Sequence, residues 1–189
     1  MSLMRRRMML ESVEDGPTIQ SELIDKNLAF WRLKDKTSIK FNTTLSSTNY
    51  VFPKLTDISR LYDAYEMFSK CVNLEVADLR NLEAYNLKIT TLMFGYCENL
   101  TEVIFGGNSF YYFSSIVSMF KNCSKLKRID FSNVKETRIK YFEDVFLGCS
   151  SLNQIKCSIE LKNFFIENQD TVSLPSAMRE GGTGQWIIV

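Results

Sequence analysis

The chain contains no histidine. That absence excludes Ser-His-Asp and Cys-His catalysis within it, and any His-ligated metal centre. Proton transfer near neutral pH would have to come from a shifted carboxylate, lysine, cysteine or tyrosine. There is no run of eighteen apolar residues, so no segment is expected to span a membrane. After Arg5-Arg6-Arg7 the apolar stretch is only Met8-Met9-Leu10 before Glu11. That is far too short for the core of a signal peptide, and no export signal is visible. An excess of one charge is missing as well, because 23 Lys and Arg stand against 22 Asp and Glu. No net field draws the chain to nucleic acid or to an acidic membrane, and no nucleic-acid partner is expected. What remains is globular. The 189 residues are 45% hydrophobic and 24% charged, enough for one domain with a substantial core.

The architecture is written in an internal period. Cys71, Cys97, Cys123 and Cys149 recur at a constant 26-residue step. Phe68, Phe94, Phe120 and Phe146 keep the same step, as do Leu74, Leu100, Leu126 and Leu152. Met67, Met93, Met119 and Val145 precede the phenylalanines. Each repeat joins two periodicities. In its first half, M-F-x-x-C-x-x-L, apolar residues recur every third position, as on one face of a short helix or 3-10 turn. Its second half alternates like a half-buried strand, with Ala77 and Leu79, Val103 and Phe105, Ile129 and Phe131, and Ile155 and Cys157 facing inward. A further apolar column follows at Leu87, Phe113, Ile139 and Phe165. One such unit cannot bury its apolar side alone. Stacking makes the core continuous and the short strands parallel. The expected fold is an α/β repeat: a solenoid with a short-stranded parallel sheet on one side, short helical or 3-10 turns elsewhere, and both ends capped.

The pattern M-F-x-x-C-x-x-L-x-x-I-D-F-S, clearest at Met119–Ser132, resembles the BspA-like leucine-rich repeats of bacterial surface proteins. The resemblance covers residues 65–168. It implies a curved leucine-rich-repeat solenoid and, beyond the fold, extracellular adhesion or binding of a host protein.

The ends must cover the open core. Residues 1–64 form a tail and cap. One reading finds a degenerate repeat at 27–42, with Ala29-Phe30-x-x-Leu33 on the M-F-x-x-C columns and Ile39-x-Phe41 on the strand columns. It requires an inserted loop within Thr43–Ala64, where Thr, Ser, Asn and Pro53 cluster. The other reading is a plain capping helix over Ile19–Leu33. Residues 169–189 form the C-terminal cap, in which Gly181-Gly182-Thr183-Gly184 is expected to be a turn feeding a last strand rather than a phosphate cradle. In that strand Ile187 and Val189 would repeat the inward places of Ile155 and Cys157. Trp186 and Ile188 would point outward on an edge strand, a candidate surface for self-association.

Three further constellations bear on function. The four column cysteines could be bridged between neighbouring strands or could suggest zinc, but a column spreads them along a line and places them on the face of Phe and Leu. Buried, reduced thiols are the favoured reading, and no metal or cofactor is expected. The outward strand face carries Val76 and Asp78, Glu102 and Ile104, Arg128 and Asp130, and Gln154 and Lys156. This is the candidate binding face, acidic toward Asp78 and Glu102 and basic toward Arg128 and Lys156. Asp78 and Asp130, two strands and ~9.6 Å apart, lack a pocket that would make them an acid-base pair, and Arg128 would hold Asp130 ionised. Phe110, Tyr111 and Tyr112 form a candidate aromatic patch, since only the adjoining Phe113 is required by the core column. The expected function is non-enzymatic binding of a protein or glycan. The alternative is a structural or assembly subunit that self-associates through its ends.

Overall fold

A computed structural model describes residues 49–51, 63–80, 87–105, 113–134 and 138–189. Its sheet has six parallel strands in sequence order. They are β1 (Asn49–Val51), β2 (Val76–Asp78), β3 (Glu102–Ile104), β4 (Arg128–Asp130), β5 (Gln154–Cys157) and β6 (Gln185–Ile188). From β2 to β5 each residue pairs with its counterpart one repeat later, as Ala77 with Val103 and Val103 with Ile129. Parallel neighbours need a crossover between them, usually a helix. The described residues of the crossovers from β2 to β5 contain no helix. The single α-helix among the described residues is α1 (Ile159–Glu167), after the last of the regular strands.

The M-F-x-x-C-x-x-L segments explain that economy. Their three-residue spacing does produce the expected i→i−3 bonds, such as Cys71 N–H to Phe68 O and Leu74 N–H to Cys71 O, both 3.0 Å. They do not run on into a helix. Glu66, Leu92, Ser118 and Asp144 all have positive φ, and so do Lys70, Tyr96, Asn122 and Gly148. Left-handed residues at two fixed places per repeat swing the remaining N–H groups off the chain axis. Those groups bond to the next coil: Glu66 to Thr91 O, Phe68 to Met93 O and Lys70 to Gly95 O, at 2.7–3.0 Å. The pattern recurs in the next two coils. Isolated parallel bridges, Asp63 with Ile89, Ile89 with Ser115 and Ser115 with Tyr141, mark this second line of contact. Each coil is therefore bonded to its neighbour along both its strand and its turns. Only the last of the eight left-handed column positions is a glycine. A Cβ at Gly148 would lie 3.1 Å from the Asn122 Cα.

The core lies between these two lines. Phe68, Phe94, Phe120 and Phe146 form one stack, with centroids 5.1, 5.6 and 5.9 Å apart and planes within 3° of parallel. Phe105 and Phe131 begin a second column at 5.2 Å and meet the first edge-on. The inward residues of β2–β5 and the columns of Met, Cys and Leu are all buried. Ile139 alone of its column is only partly buried.

The five cysteines are free and buried. Cys97 Sγ donates to Phe68 O, Cys123 Sγ to Phe94 O and Cys149 Sγ to Phe120 O, each at 3.0 Å. The same three carbonyls accept the i→i−3 bonds from Cys71, Cys97 and Cys123. A carbonyl has two lone pairs, and the thiol column uses the second. Burial raises these thiols far above the ordinary range, Cys71 and Cys149 to about 12.

Both ends depart from the sequence expectation. The strand beside β2 is Asn49–Val51, with Tyr50 opposite Ala77. It lies inside the stretch expected to be an inserted loop, and its step to β2 is one position longer than the repeat. Ile39 and Phe41, assigned to strand columns by the degenerate-repeat reading, lie outside the described residues, as does the alternative capping helix. At the other end α1 is capped by Ser158, whose Oγ accepts from Leu161 N–H, and buries Leu161 and Phe165 over the last coil. Thr171 and Val172 then supply carbonyls to Asp144 and Phe146 N–H, continuing the turn-side bonds. The glycine run is a turn into β6, as expected. Gly182 and Gly184 lie against the Ala177 carbonyl, leaving no room for a side chain.

The register of β6 is one residue from that expected. Trp186, not Ile187, sits opposite Ile155, and Ile188 sits opposite Cys157. Trp186 is turned inward, 6.5 Å from Phe165, and its indole N–H donates to Met178 O at 3.2 Å. Even a partly buried indole gains from an acceptor and a large apolar partner. The cap provides both, and the register follows from them.

Candidate binding face

The outward side of the sheet carries two columns. One runs Val76, Glu102, Arg128, Gln154, Gln185, and the other runs Asp78, Ile104, Asp130, Lys156, Ile187. The eight face residues read from the sequence are therefore brought together, in the order expected. Three-residue strands hold them because their central residues, Ala77, Val103 and Ile129, are locked in the core.

The electrostatics differ from the expected acidic-to-basic gradient. Arg128 forms a two-pronged pair with Glu102, Nη2 to Oε2 at 2.9 Å and Nε to Oε1 at 3.3 Å. Lys156 Nζ lies 3.2 Å from Asp130 Oδ2, so the lysine, and not Arg128, is the ionic partner of Asp130. The opposite charges meet across adjacent strands and neutralise one another locally. Asp78 is buried rather than open, with Arg80 folded over it, Nη2 to Oδ2 at 2.5 Å. Burial pushes the Asp78 carboxyl up, but the hydrogen bonds and charge of Arg80 outweigh it and leave the group below its ordinary value. Asp78 and Asp130 share a second task. Each accepts the backbone N–H two residues on, from Arg80 at 3.0 Å and Ser132 at 2.8 Å, and so turns the chain out of its strand.

A hollow of about 280 Å³ opens at the start of β4, β5 and β6, lined by Lys127, Arg128, Asn153, Gln154, Thr183 and Gln185. Backbone hydrogen bonds join the residues that line it. Lys127 O accepts from Asn153 and Gln154, and Asn153 O accepts from Gln185 N–H at 2.8 Å. Gln154 Nε2 donates to Gln185 Oε1 at 2.9 Å. Sequence alternation does not single out Lys127, Asn153 or Thr183, because they fall just outside the strand positions. The repeat itself holds the signal: Lys127 and Asn153 occupy the same place in successive repeats, each one position ahead of a strand.

Phe110, Tyr111 and Tyr112, the candidate aromatic patch, lie outside the described residues. Of the candidate association edge, Trp186 is packed inward as described. The exposed apolar groups of that edge are Ile187, Ile188 and Val189. Among the described residues no helix is long and apolar enough to cross a membrane, and no group of three or more Cys, Asp or Glu converges as a metal site would require. No protein-family model, curated protein or solved structure matches the chain.

Proposed function

We propose that the chain is a leucine-rich-repeat solenoid of the BspA-like kind, and that it binds a protein or glycan on the outward face of its sheet without catalysing a reaction. One observation carries this reading. The two outward columns are held in register by a sheet whose other side is buried from β2 to β5, so their spacing is fixed before any ligand arrives. Preorganisation of that kind reduces the ordering cost of binding. The pairing of Glu102 with Arg128 and Asp130 with Lys156 leaves no strong field on this part of the face, which suits polar recognition over bulk charge attraction.

The test is a screen of the full chain against extracellular-matrix proteins, mucosal proteins and polysaccharides, followed by Ile104→Glu and Gln154→Glu. Both changes lie on the outward columns. They are expected to weaken a captured ligand tenfold or more while leaving the unfolding midpoint within a few degrees. A ligand that binds both variants unchanged refutes the face as the site.

The far end of the sheet supports a second reading. β6 ends the described sheet with Ile187, Ile188 and Val189 exposed, and an open strand edge with apolar side chains invites another chain. On this reading the protein is an assembly subunit. Deleting Ile187–Val189 would then abolish a concentration-dependent rise in mass seen by analytical ultracentrifugation.

A further inference from the structure

The hollow at the start of β4, β5 and β6 differs from the rest of the outward face in one chemical respect. Its lining offers donors and carries no carboxylate. Among the described residues the Lys127 ammonium, the Asn153 amide and the Thr183 hydroxyl have no side-chain partner. Arg128 commits Nε and Nη2 to Glu102, which leaves Nη1. Gln185 uses its Oε1 to accept from Gln154, which leaves its own Nε2 to donate. Lys127 and Arg128 are the charged groups of the lining, and no carboxylate among the lining residues balances the Lys127 ammonium.

The backbone that carries these groups is fixed. The strand starts beneath them are hydrogen-bonded in series, Lys127 to Asn153 to Gln185. Thr183 is presented between Gly182 and Gly184, both pressed against the Ala177 carbonyl. The glycine run thus does more than turn the chain, because it sets one hydroxyl into the wall of the hollow. All six lining side chains are polar or charged, which favours a ligand rich in hydrogen-bonding groups. A free inorganic anion would fill little of about 280 Å³.

From this we infer that the hollow binds one acidic sugar unit of an anionic polysaccharide, its carboxylate or sulfate on Lys127 and Arg128 and its hydroxyls on Asn153, Thr183 and Gln185. The inference rests on the reading of the sheet as a binding face and names the ligand class for one end of it. The hollow is open to solvent, so a unit within a polymer chain can reach it.

The experiment titrates the full chain with hyaluronan, dextran sulfate and neutral dextran, by calorimetry at low and high salt. Hyaluronan carries carboxylate alone and dextran sulfate carries sulfate alone, so the two arms identify the anion. At least one polyanion should bind and dextran should not, with affinity falling as salt rises. Lys127→Glu should lower affinity tenfold or more, and Lys127→Gln and Asn153→Ala threefold or more. Lys140→Gln, beside the turn-side bridges, should change nothing. Hydrogen exchange with the polyanion bound should show protection at residues 127–128, 153–154 and 183–185. Equal binding by all variants overturns the inference, as does equal binding of dextran or no binding of either polyanion. In each of these cases the face reading stands or falls separately by the Ile104 variant, because Gln154 lines the hollow itself. Protection confined to the turn side overturns both.

Discussion

Replacing Phe120 by alanine tests the stacked core most directly. The ring is fully buried and lies between Phe94 at 5.6 Å and Phe146 at 5.9 Å, with Phe105 and Phe131 at its edges. A buried phenylalanine removes about 150 Å² of apolar surface from water, worth about 4 kcal/mol at about 25 cal/mol per Å². Alanine keeps the Cβ share, leaving a loss of about 3 kcal/mol. Two stacked partners add about 0.5–1.5 kcal/mol each beyond area. The expected loss is about 4–6 kcal/mol, at the upper end of large-to-small core changes and a large part of the total stability of an ordinary domain. Urea unfolding followed by far-ultraviolet circular dichroism reads it. The sharper assay uses leucine, which keeps double variants folded. Phe94→Leu with Phe120→Leu should show a coupling of about 0.5–1.5 kcal/mol, because the rings touch. Phe68→Leu with Phe120→Leu should add, because a coil separates them. A loss under about 2 kcal/mol for Phe120→Ala, against the range expected for a core phenylalanine, refutes the reasoning. So does coupling of Phe68 to Phe120 as strong as that of adjacent rings.

Unfolded thiols lose protons from about pH 8.5, while Cys71, Cys149 and Cys157 in the folded chain hold theirs to about 12. Their contribution is full below the unfolded value and is lost as pH rises through the folded one, so the urea midpoint should fall from about pH 9 upward. A variant with serine at all four column positions should fall less steeply, and an identical slope counts against the thiols. A double-mutant cycle on Glu102 and Arg128 should give a coupling of about 0.2–1 kcal/mol that shrinks with salt, and Arg128→Glu should be rescued by Glu102→Arg. A zero coupling at low salt would show that the pair is not formed in solution. Trp186→Ala should cost about 2 kcal/mol, a large-to-small change at a partly buried site, and Ile187→Gln less than about 0.5 kcal/mol, a surface change. The reverse order would restore the register expected from the sequence.

The sequence and the structure agree where the repeat is regular. Four columns at a constant step place β2–β5, their inward residues and the eight outward ones, since a parallel register carries each residue onto its counterpart in the next coil. Agreement ends where local geometry competes with the period. The M-F-x-x-C-x-x-L spacing is common to a helix and to successive turns, and only the backbone angles at Glu66 and Lys70 and their counterparts separate the two. Left-handed positions are usually announced by glycine, but here Lys, Tyr and Asn hold three of the four places in the second such column. β1 escapes the period because its step is one position too long, so that Tyr50 and not Val51 stands opposite Ala77. The β6 register differs by one residue because alternation alone cannot choose between Trp186 and Ile187 for the core. The choice depends on Met178 O and Phe165, which the cap brings together. On the face, charges could be placed but not paired, because pairing Arg128 with Glu102 rather than Asp130 is settled by side-chain reach across strands.

The backbone bonds between successive M-F-x-x-C turns run one way. From Glu66, Phe68 and Lys70 onward, their N–H groups donate forward to carbonyls of the following coil. Among the described residues, backbone bonds return on this side at the bridges that lead into the turns, as from Ser115 to Lys88 O and from Tyr141 to Ser114 O. The row of turns is thus an electret, with amide dipoles aligned along its length much as they align along a helix. Its two ends are chemically unlike. The forward end presents donors, which the cap meets with the carbonyls of Thr171 and Val172, and the rear end presents acceptors and calls for donors. Caps are therefore not interchangeable, and a coil can be duplicated or deleted in the middle but not reversed. Any association of copies that continues this bonding is confined to head-to-tail order, a polar filament rather than a closed pair.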